Sequence, residues 1–326
     1  MATIPGTVGD DPLIGTGDDD LINGLQGNDT IDGAAGNDTI TGDQGDDTID
    51  GGLGDDTITG NEGQDTVDGG VGNDSITGDP GEDTLFGNNG NDTIDGGESR
   101  DFIDGGRNRD LIFGGDENDT IHGRGGSDTI YGGNANDKIF AEDRDDTVYG
   151  GNGNDTIDGG AQNDYIDGGK DNDLLKGGAG DDTVLGGDNN DRLEGQAGND
   201  SLDGGDQNDV LLGQNGHDTL TGADGNDTMR GGAGSDVLNG GDGHDTFRFV
   251  FNDARQEAEG DVINGFVSGG SSGDTLVFQG YTNGALNNVG GDFWQLTYSD
   301  GVDGTETFQI VGVLAGGLAP GDVQFI

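Results

Sequence analysis

From Leu13 to Phe247 an apolar residue returns every ninth position, and two residues before each one stands an aspartate, from Asp11, Asp20, Asp29 and Asp38 through to Asp245. The apolar column begins Leu13, Ile22, Ile31, Ile40, Ile49, Ile58, Val67, Ile76, Leu85 and ends Leu238, Phe247. A representative unit is Gly33-Ala34-Ala35-Gly36-Asn37-Asp38-Thr39-Ile40-Thr41. Thr-Ile-Thr predicts a three-residue strand, with the Ile pointing one way and its β-branched neighbours the other. The six residues between, such as Gly42-Asp43-Gln44-Gly45-Asp46-Asp47, predict a turn, because glycine admits positive φ and close backbone approach. One strand and one turn reverse the chain, so two units make one coil with two opposed strands. Coils stacked at about 4.8 Å give roughly 13 coils and a rod of about 65 Å.

The aspartates then fall in two files, one along each edge of the rod, with neighbours such as Asp29, Asp47, Asp65 and Asp83 one coil apart. Stacked carboxylates repel unless a cation lies between them. Hard oxygen ligands at this density favour Ca²⁺.

The unit Gly51-Gly52-Leu53-Gly54-Asp55-Asp56-Thr57-Ile58-Thr59 resembles the RTX (haemolysin-type) calcium-binding nonapeptide Gly-Gly-x-Gly-x-Asp-x-aliphatic-x. The likeness extends over residues 6–247. It implies an all-β fold, a right-handed parallel β-roll with two repeats per coil. It also implies calcium held by the aspartates and carbonyls of turns one coil apart. The ligands it implies are Asp11, Asp29, Asp38, Asp47, Asp56, Asp65, Asp74, Asp83, Asp92, Asp182, Asp200, Asp218, Asp227, Asp236 and Asp245. The glycines of those turns are Gly24, Gly27, Gly33, Gly36, Gly42, Gly45, Gly51, Gly54, Gly60, Gly63, Gly69 and Gly72. About 11 to 25 calcium sites are expected.

Composition makes the ion necessary. Of 326 residues 74 are Gly, and the net charge is −55, a balance that without a repeat reads as disorder. The metal-free chain is therefore expected to be largely unfolded and the calcium-loaded chain rigid. There is no Cys, so no disulfide framework is available, and a calcium-stapled fold suits the outside of the cell. No stretch is apolar enough to span a membrane, and Met1-Ala2-Thr3-Ile4-Pro5 does not read as a signal peptide. The resemblance implies type I secretion from an uncleaved C-terminal signal.

Residues 1–98 carry neither Lys nor Arg. Their pairs Thr39/Thr41, Thr57/Thr59 and Ser75/Thr77 should stack, like the Thr-x-Thr ladders of ice-binding solenoids, although Thr is in any case a good strand residue. In residues 99–210 the second fixed Gly becomes Ser99, Asn108, Glu117, Ala135, Arg144, Gln162, Asp171, Asn189 and Gln207. Fewer or weaker calcium sites are expected there, with Arg100 or Arg109 pairing with the stacked carboxylates instead. Phe113, Tyr131 and Tyr149 should form an outward ladder that Leu111, Tyr165 and Leu185 extend, with Phe86, Phe102 and Phe140 on the opposite face. Phe113, Tyr131, Tyr149 and Tyr165 are candidate interface residues. They mark a contact surface or cross-strand pairing that stiffens the roll.

Residues 248–326 read as a separate small β domain, a cap and secretion-signal region. Runs such as Leu276-Val277-Phe278, Phe293-Trp294-Gln295-Leu296-Thr297-Tyr298 and Thr307-Phe308-Gln309-Ile310-Val311 predict antiparallel strands. The expected division is 1–247 and 248–326. The N-terminus carries no comparable cap, which permits head-to-tail contact.

No catalytic constellation emerges. His122, His217 and His244 do not form a zinc motif, the last two are expected to be solvated, and the negative charge argues against nucleic-acid binding. The expected function is a secreted calcium-binding structural protein of the cell surface or matrix, not an enzyme, that self-associates into filaments or a surface layer. The alternative is an adhesin binding cell-surface glycans through the aromatic face.

Overall fold

The computed structural model describes residues 2–250, 261–266, 273–279, 285–290, 293–298, 304–311 and 322–325. Strands and turns make up this fold, and no helix occurs among the described residues. The chain divides into two compact units, Met1–Ala161 and Gln162–Ile326.

In the first unit, strands alternate between two parallel sheets. One holds Leu21–Gln26, Thr39–Gln44, Thr57–Glu62, Ser75–Pro80, Thr93–Glu98, Leu111–Gly115, Thr129–Asn134 and Thr147–Asn152. The other runs from Pro12–Ile14 to Thr156–Ala161. The register is two repeats throughout: Ile40 pairs with Ile58, and Ile31 with Ile49. Each sheet is thus built from every second repeat, and the two together form the expected solenoid. The Thr ladder is in register as well, with Thr39 beside Thr57 and Thr59 beside Thr77.

The strands are longer than the pattern predicts. Thr39–Gln44 has six residues, because parallel pairing continues past the inward Ile into the turn, where Asp43 meets Asn61 and Gln44 meets Glu62. A residue in left-handed conformation inside the strand, such as Asp43 at φ 74° or Asn61 at φ 75°, bends the chain without ending the ladder. The core is one column of side chains per sheet, and Ile22, Ile58, Leu85, Ile112 and Val148 are each fully buried. Each buried aliphatic side chain stabilises by about 1.5–3 kcal/mol.

The second unit repeats the plan from Tyr165–Lys170 and Leu174–Ala179 onward. Here the expectation for the C-terminal segment needs correction. Thr275–Gln279 is not antiparallel: it pairs in parallel with Thr246–Val250, and Val262–Asn264 pairs in parallel with Val237–Gly243. The Asp-strand unit survives at Asp261-Val262-Ile263 and Asp274-Thr275-Leu276, but longer loops break the nine-residue spacing. Ile263, Phe266, Leu276 and Phe278 are buried, so the core continues past residue 247. Val323–Phe325 adds a further parallel strand. The antiparallel expectation holds for Phe293–Tyr298, which pairs with Ala285–Gly290, a strand the pattern does not single out, and with Gly304–Val311. The last of these also pairs in parallel with Val262–Asn264. Residues 251–260, 312–321 and 326 lie outside the described residues.

Candidate metal centre

The fold buries the ladder aspartates from Asp20 onward, while Asp11 is only half-buried. From Asp29 to Asp137 in the first unit, and from Asp182 to Asp245 in the second, each is almost wholly inaccessible. Their placement follows from the local sequence. The strand's first residue hangs from the coil before, as in the Thr48 N–H donating to the Asp29 carbonyl at 2.9 Å, and this fixes the preceding Asp. The Asp N–H then donates to Oδ1 of the aspartate one coil later. The distances are 2.7 Å for Asp29 to Asp47, 2.8 Å for Asp47 to Asp65 and Asp74 to Asp92, and 3.0 Å for Asp182 to Asp200.

The second oxygen is different. Among the described residues, Oδ2 is buried and receives no hydrogen bond at Asp29, Asp38, Asp47, Asp56, Asp65, Asp74, Asp83 and Asp92, nor at Asp182, Asp200, Asp218, Asp227, Asp236 and Asp245. A buried charged oxygen without a partner is costly. Asp11 departs from this set: its Oδ2 accepts the Thr7 N–H at 2.6 Å. The first repeats thus satisfy the carboxylate within their own turn.

The glycines show what surrounds that oxygen. A methyl group built on Gly51 would stand 2.7 Å from the Gly69 carbonyl oxygen and 2.8 Å from Asp56 Oδ2. On Gly87 it would stand 2.5 Å from the Gly105 carbonyl and 2.6 Å from Asp92 Oδ2. Gly24, Gly33, Gly42, Gly60 and Gly69 sit against their own aspartates in the same way. Absence of a side chain there leaves a cradle lined by a carboxylate oxygen and a carbonyl of the next coil. Ala141 replaces this glycine in the Asp146 turn, and its methyl group is fully buried. The second glycines, Gly27, Gly36, Gly45, Gly54, Gly63 and Gly72, have φ between 121° and 152°.

Burial governs the electrostatics. Desolvation pushes the Asp47 and Asp56 carboxyls up to about 6, Asp65 and Asp74 to about 7, and Asp110 and Asp119 to about 8. The N–H of the preceding coil opposes the rise, and carboxylates one coil away add to it. A cation among these oxygens would remove the penalty. Among the described residues no three His, Cys, Asp or Glu side chains converge as a metal cluster, so an ion here would draw on backbone carbonyls beside the Asp files. A mixed carboxylate and carbonyl set of hard oxygens fits Ca²⁺.

The middle repeats, where fewer or weaker calcium sites are expected, keep the aspartate geometry of the others. Asp101, Asp110, Asp119, Asp128, Asp137, Asp191 and Asp209 show the same buried, unbonded Oδ2. Ser99, Asn108, Glu117, Ala135, Arg144, Gln162, Asp171, Asn189 and Gln207 all adopt positive φ, from 73° to 95°. The ladder bonds on either side over-determine the turn, so even Glu and Ala are held left-handed at a cost of order 1–3 kcal/mol. Arg100 does not pair with the stacked carboxylates: it binds Glu82 at 3.0 Å. Asp261 and Asp274 extend the files, with Oδ1 accepting the Asp236 and Asp245 N–H groups at 2.8 and 3.0 Å. Their Asp-x-aliphatic phase was the signal that could have found them.

The residue before each Asp forms a second, outer ladder. The Asn28 side-chain oxygen accepts the Asp46 N–H at 3.2 Å, and Asn73 that of Asn91 at 2.9 Å. His217, itself exposed, belongs to it too, its Nδ1 accepting the Ser235 N–H at 3.0 Å. Of the interface candidates, Phe113, Tyr131 and Tyr149 stack with centroids 5.1 and 5.0 Å apart and planes 7° and 8° from parallel. Tyr165 lies in the second unit, at the start of Tyr165–Lys170.

A family model described as the RTX calcium-binding nonapeptide repeat (4 copies) matches residues 5–40, 41–76, 77–112, 105–139, 113–148, 140–175, 176–211, 185–220 and 212–247. No curated protein matches. Among solved structures, the AlgE6R3 subunit of the Azotobacter vinelandii mannuronan C5-epimerase is 29% identical over 41% of this chain and 77% of that chain, with a TM-score of 0.27. A hyperactive, Ca²⁺-dependent, β-helical antifreeze protein from an Antarctic bacterium is 21% identical over 68% of this chain and 83% of that chain, with a TM-score of 0.30.

Proposed function

The chain belongs to the RTX calcium-binding nonapeptide-repeat family, and from that premise we propose that it is a secreted structural protein of the cell surface or extracellular matrix that folds on calcium and assembles with copies of itself. That it binds multiple calcium ions follows from the family. The observation that carries the proposal is the double file of buried aspartates with unbonded Oδ2. They are the residues that would hold the ions, together with carbonyls of adjacent turns, and calcium there supplies charge neutralisation and a cross-link between coils. Binding energy of such sites is folding energy.

Location follows from the same chemistry. A chain of net charge −55 stays unfolded where calcium is scarce and folds where it is abundant, which suits export before folding. RTX repeats typically belong to secreted proteins, and no helix among the described residues is long and apolar enough to cross a membrane. Type I secretion is the route proposed.

The role proposed is mechanical rather than catalytic. Polar side chains away from the turns are committed to the fold: His122 Nδ1 is 2.9 Å from Glu142 Oε1, and Arg124 bridges Asp104 and Glu142 at 2.8 and 3.0 Å. The glycan reading draws no support from the aromatic ladder. Sugars stack on exposed ring faces, whereas Tyr131 has both faces covered by Phe113 and Tyr149. Such stacking stiffens the sheet.

Electron microscopy and sedimentation in millimolar calcium test the assembly reading. Ordered filaments or layers that dissolve in chelator are expected; a calcium-folded protein that stays monomeric would overturn it.

A further inference from the structure

The two turn edges of the first unit differ along the outward turn position three residues before each aspartate. One edge is built from the turns that end at Asp29, Asp47, Asp65, Asp83, Asp101 and Asp119. The residue three before each aspartate there is Gln26, Gln44, Glu62, Pro80, Glu98 and Asp116 in turn. Gln26 donates to Gln44, and Gln44 to Glu62, both at 3.0 Å, and beyond Pro80 the file carries the carboxylates Glu98 and Asp116. Its Arg100 is already neutralised by Glu82.

On the other edge the same position reads Ala35, Leu53, Val71, Asn89 and Arg107. Backbone bridges join Ala35 to Leu53 and Leu53 to Val71, yet Leu53 is 56% and Val71 48% exposed. Exposed apolar side chains aligned in a row mark a contact surface more readily than scattered ones. Beyond them, Arg107 and Arg124 line a groove of about 430 Å³ with Asn88, Asn89 and Gly106. Arg107 and Arg109 are exposed and have no carboxylate partner among the described residues.

We infer that these edges dock on each other between copies of this chain, side by side, an inference that rests on the self-assembly reading above. The partner is a second copy because the complement is present on the molecule itself. The edges are offset by half a coil, so a copy displaced sideways without rotation sets Arg107 between Glu98 and Asp116. The contact is heterologous: each copy offers one edge and accepts the other, so rows propagate without closing. Calcium within the turns offsets the net charge that would otherwise keep copies apart.

The test is a charge swap followed by sedimentation velocity in millimolar calcium, with circular dichroism and calcium calorimetry as folding controls. Arg107→Glu/Arg109→Glu should weaken association at least about tenfold, since like charges across a contact are strongly unfavourable. Glu98→Arg/Asp116→Arg should do the same. An equimolar mixture of the two variants should associate again, because each supplies the edge the other lost. Leu53→Asp should weaken association with calcium binding unchanged. If the native protein assembles and neither charge variant differs from it, the edge contact is wrong while self-assembly stands. If variants are impaired but the mixture does not recover, complementarity is wrong. If the native protein is monomeric, the assembly reading and this contact fall together.

Discussion

Replacing Asp65 by Asn separates the two roles of a ladder carboxylate. The amide oxygen can still accept the Asp47 N–H, which reaches Asp65 Oδ1 at 2.8 Å. What disappears is the charge. Burial raises the Asp65 carboxyl from 3.8 to about 7, so near pH 8 keeping it ionised costs the metal-free fold on the order of 4 kcal/mol, at about 1.4 kcal/mol per pKa unit. The amide removes much of that cost. With calcium the sign reverses, because a neutral amide is a poorer ligand, and each lost ion forfeits about 1.4 kcal/mol when free calcium is about ten times Kd. The assay is far-UV circular dichroism under two conditions, with calorimetry to count ions. In chelator, where an osmolyte drives folding, Asp65→Asn should fold at a lower osmolyte concentration than the native chain. In millimolar calcium it should melt earlier and bind fewer ions. Destabilisation under both conditions would refute the reasoning, since it would make the carboxylate a hydrogen-bonding strut rather than a ligand.

Acidity should substitute in part for metal. Burial raises the Asp47, Asp65 and Asp110 carboxyls from 3.8 to about 6, 7 and 8 in the fold. Protonation therefore favours the metal-free fold, fully below about pH 4 and decreasingly as pH rises through 6 to 8; dichroism in chelator should show β structure growing on acidification, and calcium binding should release protons. Gly87→Ala would put a methyl group 2.5 Å from the Gly105 carbonyl and 2.6 Å from Asp92 Oδ2. It should lower the calcium count by calorimetry, while Ala141→Gly should raise it. Tyr131→Thr/Tyr149→Thr should lower the melting temperature, each stacked pair contributing about 0.5–1.5 kcal/mol, with the calcium count unchanged.

The coil was legible because its cause is local and periodic. Ile40 and Ile58 repeat at a fixed distance from a fixed aspartate, and the two-residue alternation of a strand then sets one side chain inward per repeat. The same spacing put Asp56 and Asp74 in one file. Properties that depend on the neighbouring coil were not legible. The strand Thr39–Gln44 extends into the turn because Asn61 and Glu62 lie beside it. Glu117 and Ala135 adopt φ values that their own chemistry disfavours, since the bonds above and below leave no alternative. The role of Asn28, whose side-chain oxygen accepts the Asp46 N–H, depends likewise on the coil beside it. Past residue 247 the aspartate-strand unit persists at Asp261 and Asp274, but a search by fixed period loses it once loops lengthen. The aromatic ladder was placed correctly at Phe113, Tyr131 and Tyr149; that the rings cover one another's faces is a matter of rotamers.

The central claim is that ions bridging the aspartate files make the solenoid stable. Circular dichroism during calcium titration of the chelated protein, with bound ions counted in parallel, tests it most directly. The account predicts a largely unfolded chain that gains its β signal in step with multiple ions bound. A β signal already complete in chelator near pH 8, and unmoved by calcium, would contradict it.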